Sequence, residues 1–437
     1  MHLTKRFGIV AASQLPLHFL LAVKSPYSPL QLLIGMSHEQ LNAAHRVLGK
    51  IIQLLLALHG IFYINFFVRI NVIAKRIKDL DVILGVACLA SITLISTSAL
   101  ASIRRWNYRV FYVIHVVLAS MFLPIAFFHV HHIREYILES VAIYAVHAIL
   151  RGIHSKTQSC SISRISGTNL VKVEFPVSTS RAEYNGGQHV YLTLPSSGAA
   201  CFPSLFLHNP FTIASLPAED RSVMLVARVL QGNTTKLADF ADAQRKLPLR
   251  IEGPYGASSH LPDLATHFDR VLCVAGGVGA TFILPLWRSA LARWASNDSL
   301  LGSELRLVWA VRSTREVSWA LPLSEAETIE GLSEAEIYVT GAQQRSRNTD
   351  QDSVELEQMN LSNAEGNENV MLGANAKFRQ GRPDLRNIVT QFCSGHAGRI
   401  CVLFCGPSGM GKELRRQVGK QVYQGKDVFW HAEEFGL

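Results

Sequence analysis

The sequence is poor in charge and has no cysteine pair. Of its 437 residues, 17% are Asp, Glu, Lys or Arg and 49% are hydrophobic, whereas a soluble globular domain carries about a quarter charged residues. That balance excludes a disordered chain and argues against an ordinary soluble enzyme. The seven cysteines (Cys88, Cys160, Cys201, Cys273, Cys393, Cys401 and Cys405) form no CxxC, so neither a zinc ribbon nor a thioredoxin-like site is expected. The chain is too long and too Cys-poor for a secreted disulfide scaffold. No internal repeat is present, and no calcium-binding EF-hand loop precedes the apolar first third. The segment from Gly406 to Lys412 satisfies GxxxxGK, but Glu413 follows where a phosphate loop needs a Mg²⁺-binding Ser or Thr. ATP hydrolysis is therefore not expected. The net charge of +9 could suit nucleic acid, but the uneven placement of apolar residues outweighs it, and no nucleic-acid partner is expected.

What is present is concentrated apolar sequence. Val82 to Ile103 is 22 residues without a charge, Val47 to Val68 is broken only by Lys50, and Val110 to Ile133 has no Lys, Arg, Asp or Glu but holds four His. A helix of about 20 such residues spans a bilayer core of roughly 30 Å. Gly8–Val23 and Tyr136–Leu150 are weaker segments. The first has the basic start of a signal peptide but no small-x-small cleavage site follows it. The reading is a membrane domain of about five helices over residues 1–152 in contact with lipid. After Arg151 short alternating runs such as Asn169–Val177 suggest strands. From Arg270 onward strand and helix patterns alternate, as in a parallel sheet. Residues 343–373, rich in Gln, Asn, Ser and Glu, read as a disordered insertion.

Ionisable residues inside a membrane segment are functional candidates. His45 and His59 are 14 residues apart on one segment, and His115 and His129 are 14 apart on another. Fourteen residues advance a helix by ~1400° and ~21 Å, so each pair shares one face at two depths. Side by side, the two helices would oppose His45 with His115 and His59 with His129. Each opposed pair can clamp one haem iron, an arrangement suited to electron transfer. Ligands 14 apart do not converge on a single zinc ion. His18, His38, His131, His132 and His147 lack matching partners and read as structural or interfacial.

Helices bearing H-x13-H twice resemble the ferric reductase and NADPH oxidase superfamily, in particular the transmembrane component of fungal ferric reductases. His45-Arg46-Val47-Leu48-Gly49 is similar to that family's HRWLG, and Lys5-Arg6-Phe7-Gly8 to its RRTG. Asn209-Pro210-Phe211-Thr212-Ile213-Ala214-Ser215 resembles its flavin-binding HPFTIAS, with Asn209 where His is usual and His208 one position earlier. Gly232 and Thr234 open a turn similar to the family's flavin-pyrophosphate turn, and Gly253-Pro254-Tyr255-Gly256 resembles its GPYG.

Gly276-Gly277-Val278-Gly279-Ala280-Thr281 follows an apolar run and opens a helical stretch, the arrangement that lets backbone approach a pyrophosphate at a helix N-terminus. Arg312 ends the next strand pattern, where a cation could meet a 2′-phosphate and favour NADPH. Gly381-Arg382-Pro383 resembles the family's GRP word. Cys405-Gly406-Pro407 resembles its CGP motif, which brings a cysteine near the nicotinamide and makes Cys405 the candidate catalytic residue. The chain ends Glu433-Glu434-Phe435-Gly436-Leu437, with Leu437 where the family has an aromatic. Three sequons begin at Asn233, Asn297 and Asn360, unusable if this half faces the cytosol.

The resemblance implies a β-barrel FAD domain over 153–262 and an α/β NADPH domain over 263–437. It implies FAD, two b-type haems and NADPH as cofactors, and ferric or cupric chelates as acceptors. An iron-uptake permease or oxidase would be a partner. The expected location is the plasma membrane with the flavin half cytosolic. A superoxide-producing NADPH oxidase and a haem membrane protein without turnover are the alternatives. A further helix usually precedes the RRTG-like segment in that family, so the chain is also compatible with a fragment or a short gene product.

Overall fold

The computed structural model describes residues 2–23, 28–34, 38–177, 184–194, 209–230, 232–242, 246–256, 261–295, 304–320, 333–341, 376–395 and 398–434. The insertion at 343–373, Cys201, His208, Leu437 and the sequons at Asn297 and Asn360 lie outside them.

The first third is helical. α1 (His2–Ser13) and α2 (Leu15–Leu21) are separated at Gln14, with Pro16 inside the first turn of α2. Then come α3 (Pro29–Ile34), the long α4 (His38–Arg69), α5 (Ile73–Arg76), α6 (Leu80–Ser98), α7 (Ala101–Trp106), α8 (Tyr108–His129), and, after a 3-10 turn at His131–Ile133, α9 (Arg134–Ile153). Four stretches are long and apolar enough to cross a membrane: Leu41–Arg69, Leu80–Ser98, Val110–His129 and His131–Ile153. Their outer faces stay apolar: Leu54, Ile61, Val86 and Met121 are each more than half exposed. Side chains of that kind are stable only against lipid or a partner. A small interior core of Ala11, Ala12, Leu15, Ile52, Ile92, Phe122, Leu123 and Ile137 holds the bundle together. α4 and α8 run in one direction, with α6 and α9 returning between and after them.

The rest forms two sheets. β1 (Ser155–Arg164), β2 (Leu170–Pro176), β3 (His189–Thr193), β4 (Asn209–Thr212), β5 (Ser222–Arg228) and β6 (Leu247–Tyr255) make an antiparallel sheet in the order β4-β3-β6-β1-β2-β5. Ile213 bridges to Leu225 of β5 at the opposite edge, and Ala214 N–H donates to Met224 O at 2.8 Å, so the sheet closes on itself as a barrel. The strands alternate buried Val171, Val173, Phe175, Val190, Leu192, Leu249 and Ile251 with outward polar residues. α10 (Pro217–Asp220) and α11 (Asn233–Asp242) flank the barrel.

After α12 (Leu264–His267) comes a parallel sheet in the order β10-β9-β8-β7-β11-β12. Its strands are β7 (Arg270–Gly276), β8 (Glu304–Val311), β9 (Ser333–Val339), β10 (Ala376–Gln380), β11 (Ile400–Gly406) and β12 (Val428–Glu434). α13 (Ala280–Ala295), α14 (Leu385–Cys393) and α15 (Ser408–Tyr423) connect them. Every residue of β7 and β11 is buried, as strands covered by helices on both faces must be. The strand order places the β7 and β11 carboxyl ends side by side, where open parallel sheets bind ligands.

Candidate functional site

The four histidines of the two spaced pairs lie on two long helices. α4 carries His45 and His59, α8 carries His115 and His129, and the two helices do not pack closely on each other. α1 and α6 buttress them instead. Three of the four rings are oriented by backbone carbonyls: Nδ1 of His45 lies 3.0 Å from His18 O, that of His59 2.8 Å from Thr4 O, and that of His129 2.6 Å from Asp81 O. A carbonyl only accepts, so each Nδ1 carries the proton and donates, leaving Nε2 as the lone-pair nitrogen. Metal-ligating imidazoles are commonly fixed in this way. His115 Nδ1 is buried without a hydrogen-bond partner.

Glycine makes room for the rings. A Cβ on Gly8 would stand 2.8 Å from the His59 ring, and one on Gly85 2.7 Å from that of His129. The His45 and His115 ring centres are 6.3 Å apart. One metal ion between two imidazoles, each nitrogen about 2 Å from it, separates ring centres by roughly that distance. The donor set, the His45 tautomer and the ring spacing therefore fit a haem iron held by His45 and His115. His59 and His129 present the same chemistry one level further from the nucleotide-binding half.

His18, read from sequence as structural or interfacial, stacks on His45 with ring centres 3.9 Å apart and planes 9° apart. It is a neighbour of the inner pair that spacing alone could not reveal, because it comes from another helix.

The flavin-motif residues lie on β4 and beyond. Asn209, Pro210, Phe211 and Thr212 pair with Leu192, Tyr191, Val190 and His189 of β3. Phe211 and Thr212 are buried and Pro210 is exposed. Ser215 Oγ donates to Ser222 O at 3.0 Å and accepts from Met224 N–H at 2.9 Å. Its hydroxyl thus locks barrel closure. Thr234 Oγ1 accepts from Leu230 N–H at 2.9 Å, which engages it in the turn, while Gly232 adopts φ +82° at the start of α11.

The glycine loop after β7 and the CGP segment after β11 interlock. A Cβ on Gly279 would lie 2.1 Å from Cys405 O, and one on Gly276 2.5 Å from Pro407 Cδ. A Cβ on Gly406 would lie 2.9 Å from Gly276 N. Gly277 adopts φ +56° and its carbonyl accepts from Trp309 Nε1–H at 3.0 Å. Thr281 is buried, its hydroxyl donating to Val278 O at 2.8 Å. These contacts hold the loop tight at the start of α13, the kind of helix N-terminus that suits a pyrophosphate. Arg312 stands exposed just past β8, its backbone N–H donating to Glu316 Oε2 at 3.3 Å.

Cys405 ends β11 fully buried. Burial, and then the neighbouring Glu433, pushes its thiol well up from the ordinary range, so it is a neutral group and not a thiolate nucleophile. The GxxxxGK segment is a decoy. Lys412 sits in α15, and Glu413 bonds Arg416 at 3.0 Å and Gln417.

Two constellations escaped the sequence. Arg228, at the end of β5, reaches to 3.2 Å from a Cβ position on Gly277 and to 3.3 Å from Glu316 Oε1, which places a cation between barrel and parallel sheet. Arg151, near the end of α9, donates twice to the buried Glu252 of β6, Nε to Oε1 and Nη2 to Oε2, both at 2.8 Å. Tyr255 O–H also donates to Glu252, at 3.1 Å. Burial, and then Glu252, raises the Tyr255 hydroxyl above its usual range. This cluster ties the last membrane helix to the barrel. Its partners are 101 residues apart, and only the fold brings them together.

Three family models match in series: the ferric reductase like transmembrane component over residues 7–126, an FAD-binding domain over 156–259, and the ferric reductase NAD binding domain over 268–419. They define a class, a membrane helical domain joined to FAD- and NAD-binding domains, and the chain belongs to the ferric reductase family that carries this set. It is 27% identical to a probable metalloreductase AIM14 of Meyerozyma guilliermondii over 94% of this chain and 79% of that one. It is 26% identical to ferric reductase transmembrane component 4 of Saccharomyces cerevisiae over 95% of this chain and 60% of that one. It is 26% identical to ferric/cupric reductase transmembrane component 1 of Candida albicans over 98% of this chain and 56% of that one. The chain thus spans little more than half the length of these two reductase components. A solved ferredoxin NADP+ reductase from Neisseria gonorrhoeae overlaps 64% of the chain and 98% of its own at a TM-score of 0.42 and 12% identity, a likeness too slight to add to the family models.

Proposed function

We propose that the chain is a transmembrane oxidoreductase that takes electrons from NADPH, through FAD and two b-type haems, to ferric or cupric chelates on the far side of the membrane. The observation that carries this reading is the placement of the histidines. α9 returns to the barrel at the end of the bundle that holds His45 and His115, while His59 and His129 lie ~21 Å further away. When bound, the flavin converts a hydride into single electrons and haem iron passes them one at a time.

The residues do the positioning. His45, His59 and His129 supply neutral Nε2 donors, and His115 supplies the imidazole opposite His45. Asn209, Pro210, Phe211 and Thr212 with the Gly232–Thr234 turn hold the flavin against the barrel. Gly276, Gly277, Gly279 and Thr281 set backbone against the nucleotide pyrophosphate, and Arg312 faces a 2′-phosphate. Gly406 and Pro407 press Cys405 toward the nicotinamide, where its protonated, buried thiol contributes shape and not a nucleophile. With the nucleotide half cytosolic, the acceptor is reduced outside, at the plasma membrane. An iron permease or oxidase would then consume the product.

The names of the relatives favour a metal acceptor over oxygen. Sealed vesicles test this. NADPH is added on the side of the nucleotide half, and a ferric or cupric chelate is trapped on the other. Reduction of the trapped chelate is expected. Superoxide formation indifferent to added metal would support an oxidase instead, and haem binding without NADPH oxidation a protein without turnover.

A further inference from the structure

His131 and His132 take no part in the paired set. They form the 3-10 turn between α8 and α9, and both are exposed. His132 Nδ1 and His131 Nε2 lie 3.4 Å apart, with ring centres 4.5 Å apart. The turn is at the end of the bundle opposite the nucleotide half, since all 20 residues of α9 separate it from β1, about 30 Å of helix. It follows directly on His129, and α1 packs against it.

The same end is basic. Lys5, Arg6, Arg69, Lys75, Lys78 and Arg134 are exposed there. Of the nearby carboxylates, Asp79 and Asp81 are bound by Arg76 at 2.6 and 2.9 Å, which leaves Glu135 as the exposed acid of the turn. With the nucleotide half in the cytosol, this charge runs against the positive-inside preference. A basic rim around two imidazoles has a use that overrides that preference: it raises the local concentration of anions.

We propose that His131 and His132 dock the metal acceptor, and that the acceptor class is a negatively charged carboxylate chelate of copper(II). Copper(II) stands highest among the common divalent ions in affinity for such nitrogen donors. One or both imidazoles replace water on the chelated ion while the basic rim holds the anionic ligand. Among the described residues no group of three or more metal-binding side chains forms. Two ligands with open positions suit a substrate that must leave, as a closed four-ligand site does not. The inference rests on the proposed function for its reductant. One NADPH supplies two electrons, so two copper(II) become two copper(I), and NADP+ and one proton are released. At the docking site a copper–imidazole bond replaces a copper–water bond, and it breaks again when copper(I) leaves.

The test is electron paramagnetic resonance of copper(II) citrate titrated into the oxidised full chain carrying FAD and haem. Wild type is expected to show imidazole nitrogen coupling on the copper signal, and a His131→Gln/His132→Gln variant with unchanged haem spectrum and flavin content is expected to lose it. The variant KM for cupric citrate should rise ~10-fold or more while kcat stays within a factor of two. Lys75→Gln/Lys78→Gln, which touches neither imidazole, should flatten the fall of wild-type kcat/KM with added salt. Nitrogen coupling that survives the double histidine variant, or none in wild type, would overturn the site. Coupled copper that NADPH never reduces would leave the site standing and sink the electron-transfer reading.

Discussion

The membrane half and the nucleotide half hold their functional groups in opposite ways. In the helical bundle the candidate groups are side chains, four imidazoles at two depths, three of them oriented by backbone carbonyls of neighbouring segments. In the two sheets the site is mostly backbone. There Gly276, Gly279 and Gly406 earn their places by what a Cβ would strike, 2.1 Å from Cys405 O in the case of Gly279. A bundle in lipid has little burial to spend on fine packing, so it relies on strong, directional ligands. The parallel sheet has a dense core and can place two loops within backbone contact.

The sharpest way to break this contrast is to remove a ligand. His59→Ala or His129→Ala should abolish one haem and all reduction of a far-side acceptor, while dye reduction by the flavin continues. Quantifying haem per chain beside the two activities checks it, and joint loss of both activities would count against separate halves. Next in size, Gly279→Val should leave both haems in place and lower NADPH oxidation by ~100-fold, since misplacement of about 1 Å has that effect. Single-turnover kinetics with the haem spectrum as control measures it.

Arg151→Gln probes the seam between the halves. It leaves Glu252 buried without its cation, a loss of about 3 kcal/mol, the low end for a buried pair because Arg151 is partly exposed. The expected outcome is a lower melting temperature of the barrel and ~10-fold slower electron arrival in the bundle, equivalent to 1.4 kcal/mol, with dye reduction kept. Stopped-flow absorbance resolves the two rates. A smaller effect sharpens the role of Cys405. Because burial and Glu433 hold its thiol protonated, alkylation of the native chain at pH 8 should be slow and accelerate on unfolding, as peptide mapping would show. Smallest of all, Lys412→Ala should change NADPH kinetics by less than ~2-fold, since its position in α15 is not a phosphate loop.

The same contrast decides what was legible in sequence. The 14-residue spacing of His45/His59 and His115/His129 announced both depths, because helical geometry maps spacing onto faces. The glycine loop and Cys405-Gly406-Pro407 were visible as words, but nothing in them said that the two loops interlock. His18 against His45 was invisible, since α2 meets α4 only in the fold, and so was Arg151 with Glu252. Ser215 was legible as part of a flavin motif, yet its hydroxyl is occupied in closing the barrel. The first apolar segment read as one helix but is α1 and α2, parted at Gln14 just before Pro16.

The most direct measurement of the central claim is anaerobic. The full chain is reconstituted with haem and FAD, NADPH is added, and the haem absorption spectrum is followed. The account predicts that both haems become reduced without any added mediator. Haem that binds yet stays oxidised while the flavin is reduced would contradict it.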